Sequence, residues 1–228
     1  MTKINHLRKI SELNKPFIIY KSDKGFDLYT DFSKKIILTK NNIQNFINKA
    51  TQFKSKEKET DLFIGFFGYE ILNDQIGVKI KKQKSLKFPK GIFYKPETKI
   101  KLQNKLDYKN LELISSKKSF KVSMNKASYK IIFDKFKKKI KSGETYQIKI
   151  CTKYSNKSEI DALDFFCRLV KTNMAPEAFM IKDKNYSIIS CSPENLITKK
   201  NDFITTKPIA GTLKKNKSLN KIKALTFL

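Results

Sequence analysis

The stretch Tyr186-Ser187-Ile188-Ile189-Ser190-Cys191-Ser192-Pro193-Glu194, continued by Asn195 to Lys199, Phe203 to Lys207 and Pro208-Ile209-Ala210-Gly211-Thr212, decides how this chain folds. Its three apolar or β-branched runs (Tyr186 to Cys191, Asn195 to Lys199, Phe203 to Lys207) read as strands, punctuated by a Pro-Glu turn and closed by a Gly-Thr turn. Turns on adjacent strands can bring one acid, backbone N–H groups and a hydroxyl to one place. Such a grouping is expected to suit an anionic substrate that must lose a hydroxyl.

Working back toward the N-terminus, a helix is predicted from Ser158, with Asp161 three residues on in a capping-box-like start and Ile160, Leu163, Phe166, Cys167 and Val170 on its apolar face. Pro176 stops it. Tyr146 to Tyr154 alternates as a strand, with Tyr146, Ile148, Ile150 and Thr152 on one side and Gln147, Lys149, Cys151 and Lys153 on the other. Before it a stronger helix carries Ala127, Ile131, Phe136 and Ile140 on one face, widened by Ile132 and Phe133, with Gly143 placed as a left-handed C′ residue.

In the first hundred residues, Phe17 to Tyr20, Ile36 to Leu38, Leu62 to Phe67 and Gly91 to Tyr94 read as strands. A helix with Ile43, Phe46, Ile47 and Ala50 at i, i+3, i+4, i+7 follows Asn41-Asn42, which can cap it. Residues 103–122, polar and rich in lysine and serine, form the candidate linker, giving regions 1–115 and 116–228. Blocks of helices and strands read as α+β or mixed α/β in two sub-domains.

Composition narrows the class. A 39% hydrophobic fraction with 18 Phe builds a core, and 31% charged residues argue for solubility. The longest uncharged apolar run, Leu62 to Tyr69, is too short to span a bilayer, and no signal peptide is visible, so the cytoplasm is expected. Cys151, Cys167 and Cys191 lack C-x-x-C spacing and read as reduced thiols. The net charge of +28 invites a nucleic-acid reading. Yet the arginines are only Arg8 and Arg168, whereas nucleic-acid readers use Arg for bidentate and stacking contacts. A solvated lysine-rich surface is the better reading.

Each candidate group also has a plain reading. Gly143-Glu144-Thr145-Tyr146-Gln147 is either an ordinary helix–strand turn or one that faces Gln147 into a polar pocket. Glu194 is a surface turn acid or a general acid whose pKa burial raises. Gly211-Thr212 is a turn or a carboxylate-binding site of backbone N–H and hydroxyl. Gly65-Phe66-Phe67-Gly68 has glycines three apart between aromatics, which reads as packing rather than a phosphate loop. His6, the sole histidine, reads as exposed.

Gly143-x-x-Tyr146-Gln147, Asn173-x-x-Pro176, Ser192-Pro193-Glu194 and Pro208-Ile209-Ala210-Gly211-Thr212 resemble, in order and spacing, the chorismate-utilising enzymes. These are anthranilate synthase component I, aminodeoxychorismate synthase component I, and their isochorismate and salicylate synthase relatives. Gly68-Tyr69-Glu70 and Pro89-x-Gly91 are similar to the N-terminal region of the first two. The resemblance spans roughly residues 15 to 216, and it implies an α+β fold of stacked, mostly antiparallel sheets flanked by helices.

The resemblance also implies roles. Glu194 matches the acid that assists departure of the C4 hydroxyl of chorismate. Gly211 and Thr212 match the turn that contacts the substrate's carboxylate or pyruvyl groups. Gln147 stands where water-adding relatives carry a lysine base, so it suits ammonia as nucleophile. Ala210 stands where aminodeoxychorismate synthases commonly carry a lysine able to attack the ring. Together these point to amination at C2, as in anthranilate synthase. Against that branch, no Leu-Leu-Glu-Ser stretch is present, and Asn173-Met174-Ala175-Pro176-Glu177 departs from Asn-Pro-Ser-Pro-Tyr toward the aminodeoxychorismate branch. The resemblance implies Mg²⁺ and a glutamine amidotransferase subunit supplying ammonia. It further implies a following segment, about the size of residues 123–228, holding the magnesium-binding glutamates, so the chain is expected to be a fragment. The rivals are a lysine-rich nucleic-acid-binding module and an inactive remnant.

Overall fold

Phe17, Ile18 and Ile19 are all buried, which a strand achieves only when both faces of its sheet are covered. The structure is a computed structural model that describes residues 15–22, 24–51, 58–78, 88–102, 119–157, 160–200 and 202–209. His6, most of the candidate linker (103–118), Ser158 and the Ala210-Gly211-Thr212 turn lie outside the described residues. The chain divides into two compact units, one formed by Met1–Asn110 with Ala162–Leu228 and one by Leu111–Asp161.

In the first unit, β1 (Phe17–Ser22), β2 (Gly25–Ile37), β3 (Ile64–Phe67), β4 (Gly91–Leu102), β7 (Glu177–Lys182) and β8 (Ser187–Ser192) form a six-stranded sheet of order β3-β4-β2-β1-β7-β8. Every neighbouring pair is antiparallel. The α+β, antiparallel class expected from the sequence is what forms. Strands from both sides of the candidate linker share this sheet.

One face buries Ile18, Tyr29, Ile92, Tyr94 and Ile181, with Phe32, Phe66 and Ile188 packed against them. Alternation sends Phe17, Ile19, Phe26, Leu28 and Met180 to the other face. There helix α4 (Ala162–Asn173) sets Phe166 edge-on to Phe26, ring centroids 6.1 Å apart. β2 is long because it absorbs a bulge: its register with β4 shifts between Phe32 and Lys34, beside Asp31 at φ 52°. Asp tolerates that conformation better than most residues.

Helix α1 (Ile43–Thr51) packs Ile43 and Phe46 with Leu38 and Ile71. Its cap differs in detail from the expected one. The Thr39 carbonyl accepts from Ile43 N, and Asn42 Oδ1 accepts from Thr39 N at 2.8 Å, so Asn42 closes a capping-box contact from inside the first turn. Gly65 and Gly68 are packing glycines, as read: a Cβ at either would run into the carbonyl oxygens of Ile92 or Lys90 on the chain opposite. Helix α2 (Tyr69–Gln75) follows them.

In the second unit, helix α3 (Lys126–Lys141) is capped by Asn125, whose side chain accepts from Ser128 N. It ends in a Schellman turn: Gly143 at φ 76° donates to the Ile140 carbonyl, and Glu144 N donates to the Lys139 carbonyl. The apolar face differs from the expected one. At about 100° per residue Ile131 lies about 140° from Phe136, and Ile131 is 70% exposed. The continuous stripe is Tyr129, Ile132, Phe133, Phe136 and Ile140, and no residue of α3 is buried. The predicted strand over Tyr146 to Tyr154 shrinks to β6 (Tyr154–Ser155), paired only with β5 (Lys121–Val122). A strand needs a ladder partner for its N–H and C=O groups, and Tyr146 is 92% exposed.

α4 begins at Ala162 rather than Ser158, so Asp161 immediately precedes it. Beyond β8 the chain makes the hairpin β9 (Thr198–Lys200) and β10 (Phe203–Thr205), close to the runs read as strands. Cys151, Cys167 and Cys191 form no disulfide. Among the described residues no helix is long and apolar enough to cross a membrane.

Candidate active site

Ser192 is the last residue of β8 and pairs with Glu177, the first of β7. Its hydroxyl folds back on the next turn: Ser192 Oγ donates to the Glu194 carbonyl at 2.7 Å and accepts from Glu194 N at 3.3 Å. A serine turn of this kind, with φ fixed at Pro193, holds Glu194 at the open end of the β7–β8 pair. Glu194 is half-buried. The contacts that define this turn are made by the Glu194 backbone, and its side chain is half-buried at that end of the sheet.

The residues around the turn brace it. Asn195 Nδ2 donates to Glu177 Oε1 at 3.1 Å, and Tyr20 OH of β1 donates to Glu177 Oε2 at 2.8 Å. One residue along β1, Lys21 Nζ donates to the buried Ala175 carbonyl at 2.5 Å. This fixes the Met174-Ala175-Pro176 link between α4 and β7. Met174 sits there at φ 46°, in the left-handed C′ position usually given to glycine.

The other candidates are placed as follows. Gln147 is exposed and belongs to the second unit, where Thr145 Oγ1 donates to its backbone carbonyl at 3.2 Å. Pro208 and Ile209 extend from the β9–β10 hairpin and are exposed, while Ala210, Gly211 and Thr212 fall outside the described residues. No group of three or more His, Cys, Asp or Glu side chains able to hold a metal gathers among the described residues. Among these residues no such cluster is available to hold Mg²⁺.

Sequence reasoning passed over Glu177 and Asp183. Asp183, at the far end of the β7–β8 hairpin, is 3% exposed. Its Oδ2 accepts from Lys35 Nζ at 2.5 Å and from Tyr94 OH at 2.6 Å, and its Oδ1 accepts from Lys184 N at 2.7 Å. Burial opposes ionisation, but the Lys35 ammonium and the Tyr94 and Lys184 bonds outweigh it and hold the carboxyl at about 2. Burial and the same carboxylate push the Tyr94 hydroxyl far above the ordinary phenol range. The signal was an Asp in an Asp-Lys-Asn-Tyr turn between apolar strands. Only the fold shows which lysine and tyrosine it meets.

The sequence pattern of the chorismate binding enzymes matches residues 15–226, so the chain belongs to that family. It is similar to anthranilate synthase component 1 of Arthrobacter globiformis, 32% identical over 44% of this chain and 20% of the relative. It is also similar to aminodeoxychorismate synthase component 1 of Bacillus subtilis, 27% identical over 47% of this chain and 23% of the relative. A third relative is the chloroplastic anthranilate synthase alpha subunit 2 of Arabidopsis thaliana, 27% identical over 61% of this chain. The matched portion spans between 20% and 23% of the length of these relatives.

Proposed function

We propose that this chain carries the N-terminal portion of an enzyme that aminates chorismate at C2 with ammonia and eliminates pyruvate, in the manner of anthranilate synthase component I. The observation that carries the reading is the Glu194 turn, pinned by Ser192 Oγ and presented at the open end of β8 in a chain of this family. Ammonia adds at C2 as the C4 hydroxyl leaves, and Glu194 supplies the proton that lets it depart as water. Gln147 is an amide and cannot deprotonate water, which suits a nucleophile needing no base. Ala210 has a methyl group where a lysine would attack the ring. A glutamine amidotransferase subunit is the proposed source of ammonia. When bound, Mg²⁺ would hold the substrate carboxylate. The exposed stripe of α3 and the 145–152 segment, which joins no ladder, fit a protein in which further family sequence supplies a sheet against them.

A second reading, aminodeoxychorismate synthase component I, is favoured by Asn173-Met174-Ala175-Pro176-Glu177. The test is product chromatography. The chain, joined to the family portion that follows it in the relatives, is incubated with chorismate, Mg²⁺ and ammonium. Anthranilate is the expected product. An amino group at C4 with the pyruvyl ether retained would select the second reading, and unconsumed chorismate would overturn both.

A further inference from the structure

Both oxygens of Glu177 are engaged, one by β1 and the other by the residue that follows Glu194. Tyr20 OH, on β1, donates to Oε2 at 2.8 Å. Asn195 Nδ2, on the residue that follows Glu194, donates to Oε1 at 3.1 Å. The residue two before Glu194, Ser192, is Glu177's own partner across the β7–β8 ladder. The turn is therefore tied at both ends to one residue, by backbone register before Glu194 and by a side-chain bond after it. Within the turn the ring of Pro193 fixes one φ and Ser192 Oγ grips the Glu194 backbone. Glu177 is held in turn by β1, because Tyr20 takes its other oxygen and Lys21 Nζ holds the Ala175 carbonyl two residues upstream at 2.5 Å.

We infer that Glu177 is a positioning residue: through Asn195 it sets where the Glu194 carboxyl points, with Tyr20 as the strut. This rests on the reading of Glu194 as the acid. A carboxylate braced on one side by a tyrosine hydroxyl and on the other by the amide next to the acid resists rotation of the turn. Its own oxygens stay occupied and do not compete for substrate. A misplacement of about 1 Å at a reacting group costs up to about 10²-fold in rate.

Two arms test it. The first needs no substrate. Hydrogen exchange of the 228-residue chain is followed at residues 192–196 and at the β7–β8 interior in wild type, Glu177→Ala, Glu177→Gln and Asn195→Ala. Exchange at 192–196 is expected to quicken at least tenfold in Glu177→Ala and Asn195→Ala, with the β7–β8 interior unchanged and Glu177→Gln close to wild type. Asn195→Ala keeps the Tyr20–Glu177 bond, so it reports even if Glu177→Ala disturbs folding. Unchanged exchange at 192–196 in Asn195→Ala overturns the inference.

The second arm measures kcat for chorismate in the completed enzyme, in wild-type and Glu194→Gln backgrounds. Glu177→Ala is expected to lower kcat by about 10 to 10²-fold in the wild-type background and by less than twofold where Glu194 is already gone. Equal losses in both backgrounds mean a merely structural role and overturn it. Failure of the wild-type enzyme to consume chorismate sinks the functional reading instead, and the exchange arm then still decides whether Glu177 holds the turn.

Discussion

The Asp183 carboxylate lies 2.5 Å from the Lys35 ammonium, joining the β7–β8 turn to β2 across the sheet. Tyr94 OH on β4 donates to the same oxygen at 2.6 Å. The carboxyl falls from its ordinary 3.8 to about 2 in the folded chain. A depressed carboxyl stabilises the fold above its unfolded value, and the benefit fades as pH falls through the folded value. The window is therefore about pH 4 down to pH 2. Asp183→Asn should cost about 1 to 3 kcal/mol at pH 7, since it leaves a buried Tyr94 and the Lys35 ammonium poorly matched. Urea unfolding at pH 7 and pH 3 checks this. The difference between variant and wild type should shrink at pH 3, and a pH-independent difference would count against the Asp183 account.

Met174 holds a left-handed conformation at φ 46° just beyond α4 and is 80% exposed. A non-glycine residue there carries about 1 kcal/mol of strain that glycine avoids. Met174→Gly should raise the unfolding midpoint in urea by an amount equivalent to no more than about 0.5 kcal/mol, net of the extra freedom of glycine in the unfolded chain. A lowered midpoint would show that Met174 packs in a way its exposure does not suggest.

The stripe on α3 gives a different expectation. Phe133 and Tyr129 stack at 6.2 Å between centroids, yet both are more than 40% exposed. Phe133→Glu should change the stability of the 228-residue chain by no more than about 0.5 kcal/mol. It should also reduce binding of an apolar-surface dye. A large loss of stability would mean that the stripe is covered within the chain.

Much of this was legible in advance, and the gaps have physical causes. The strands at Phe17 and Gly91, the helix at Ile43 and the left-handed Gly143 follow from local patterns that local contacts then satisfy. The segment from Tyr146 shows the limit of pattern: alternation marks a strand, but a strand forms only where a neighbour accepts its hydrogen bonds. The α3 stripe differs from the expected one because Ile131 sits about 140° around the helix from Phe136. The Ser192-Pro193-Glu194 turn was found because turn chemistry is local. The brace from Glu177 to Asn195 and Tyr20 was not, because it joins residues 18 and 157 positions apart in the chain.

Gln147 gives a specificity test. In the completed enzyme, Gln147→Lys should divert part of the chorismate from amination to addition of water, since an amine can act as base if burial lowers its pKa. Chromatography separates the aminated from the hydroxylated product. An unchanged product ratio at saturating ammonium and at none would remove Gln147 from the site.

The central claim is that Glu194 is the acid of a chorismate-aminating enzyme, and Glu194→Gln in the completed protein tests it most directly. General acid terms are worth about 10²–10⁴-fold in rate, and an amide cannot supply the proton. Anthranilate fluorescence under saturating chorismate, Mg²⁺ and ammonium should fall by that factor, while the urea midpoint stays within about 0.5 kcal/mol of wild type. A Glu194→Gln enzyme that keeps a near-wild-type rate would make Glu194 a turn residue only, and the site assignment would fall with it.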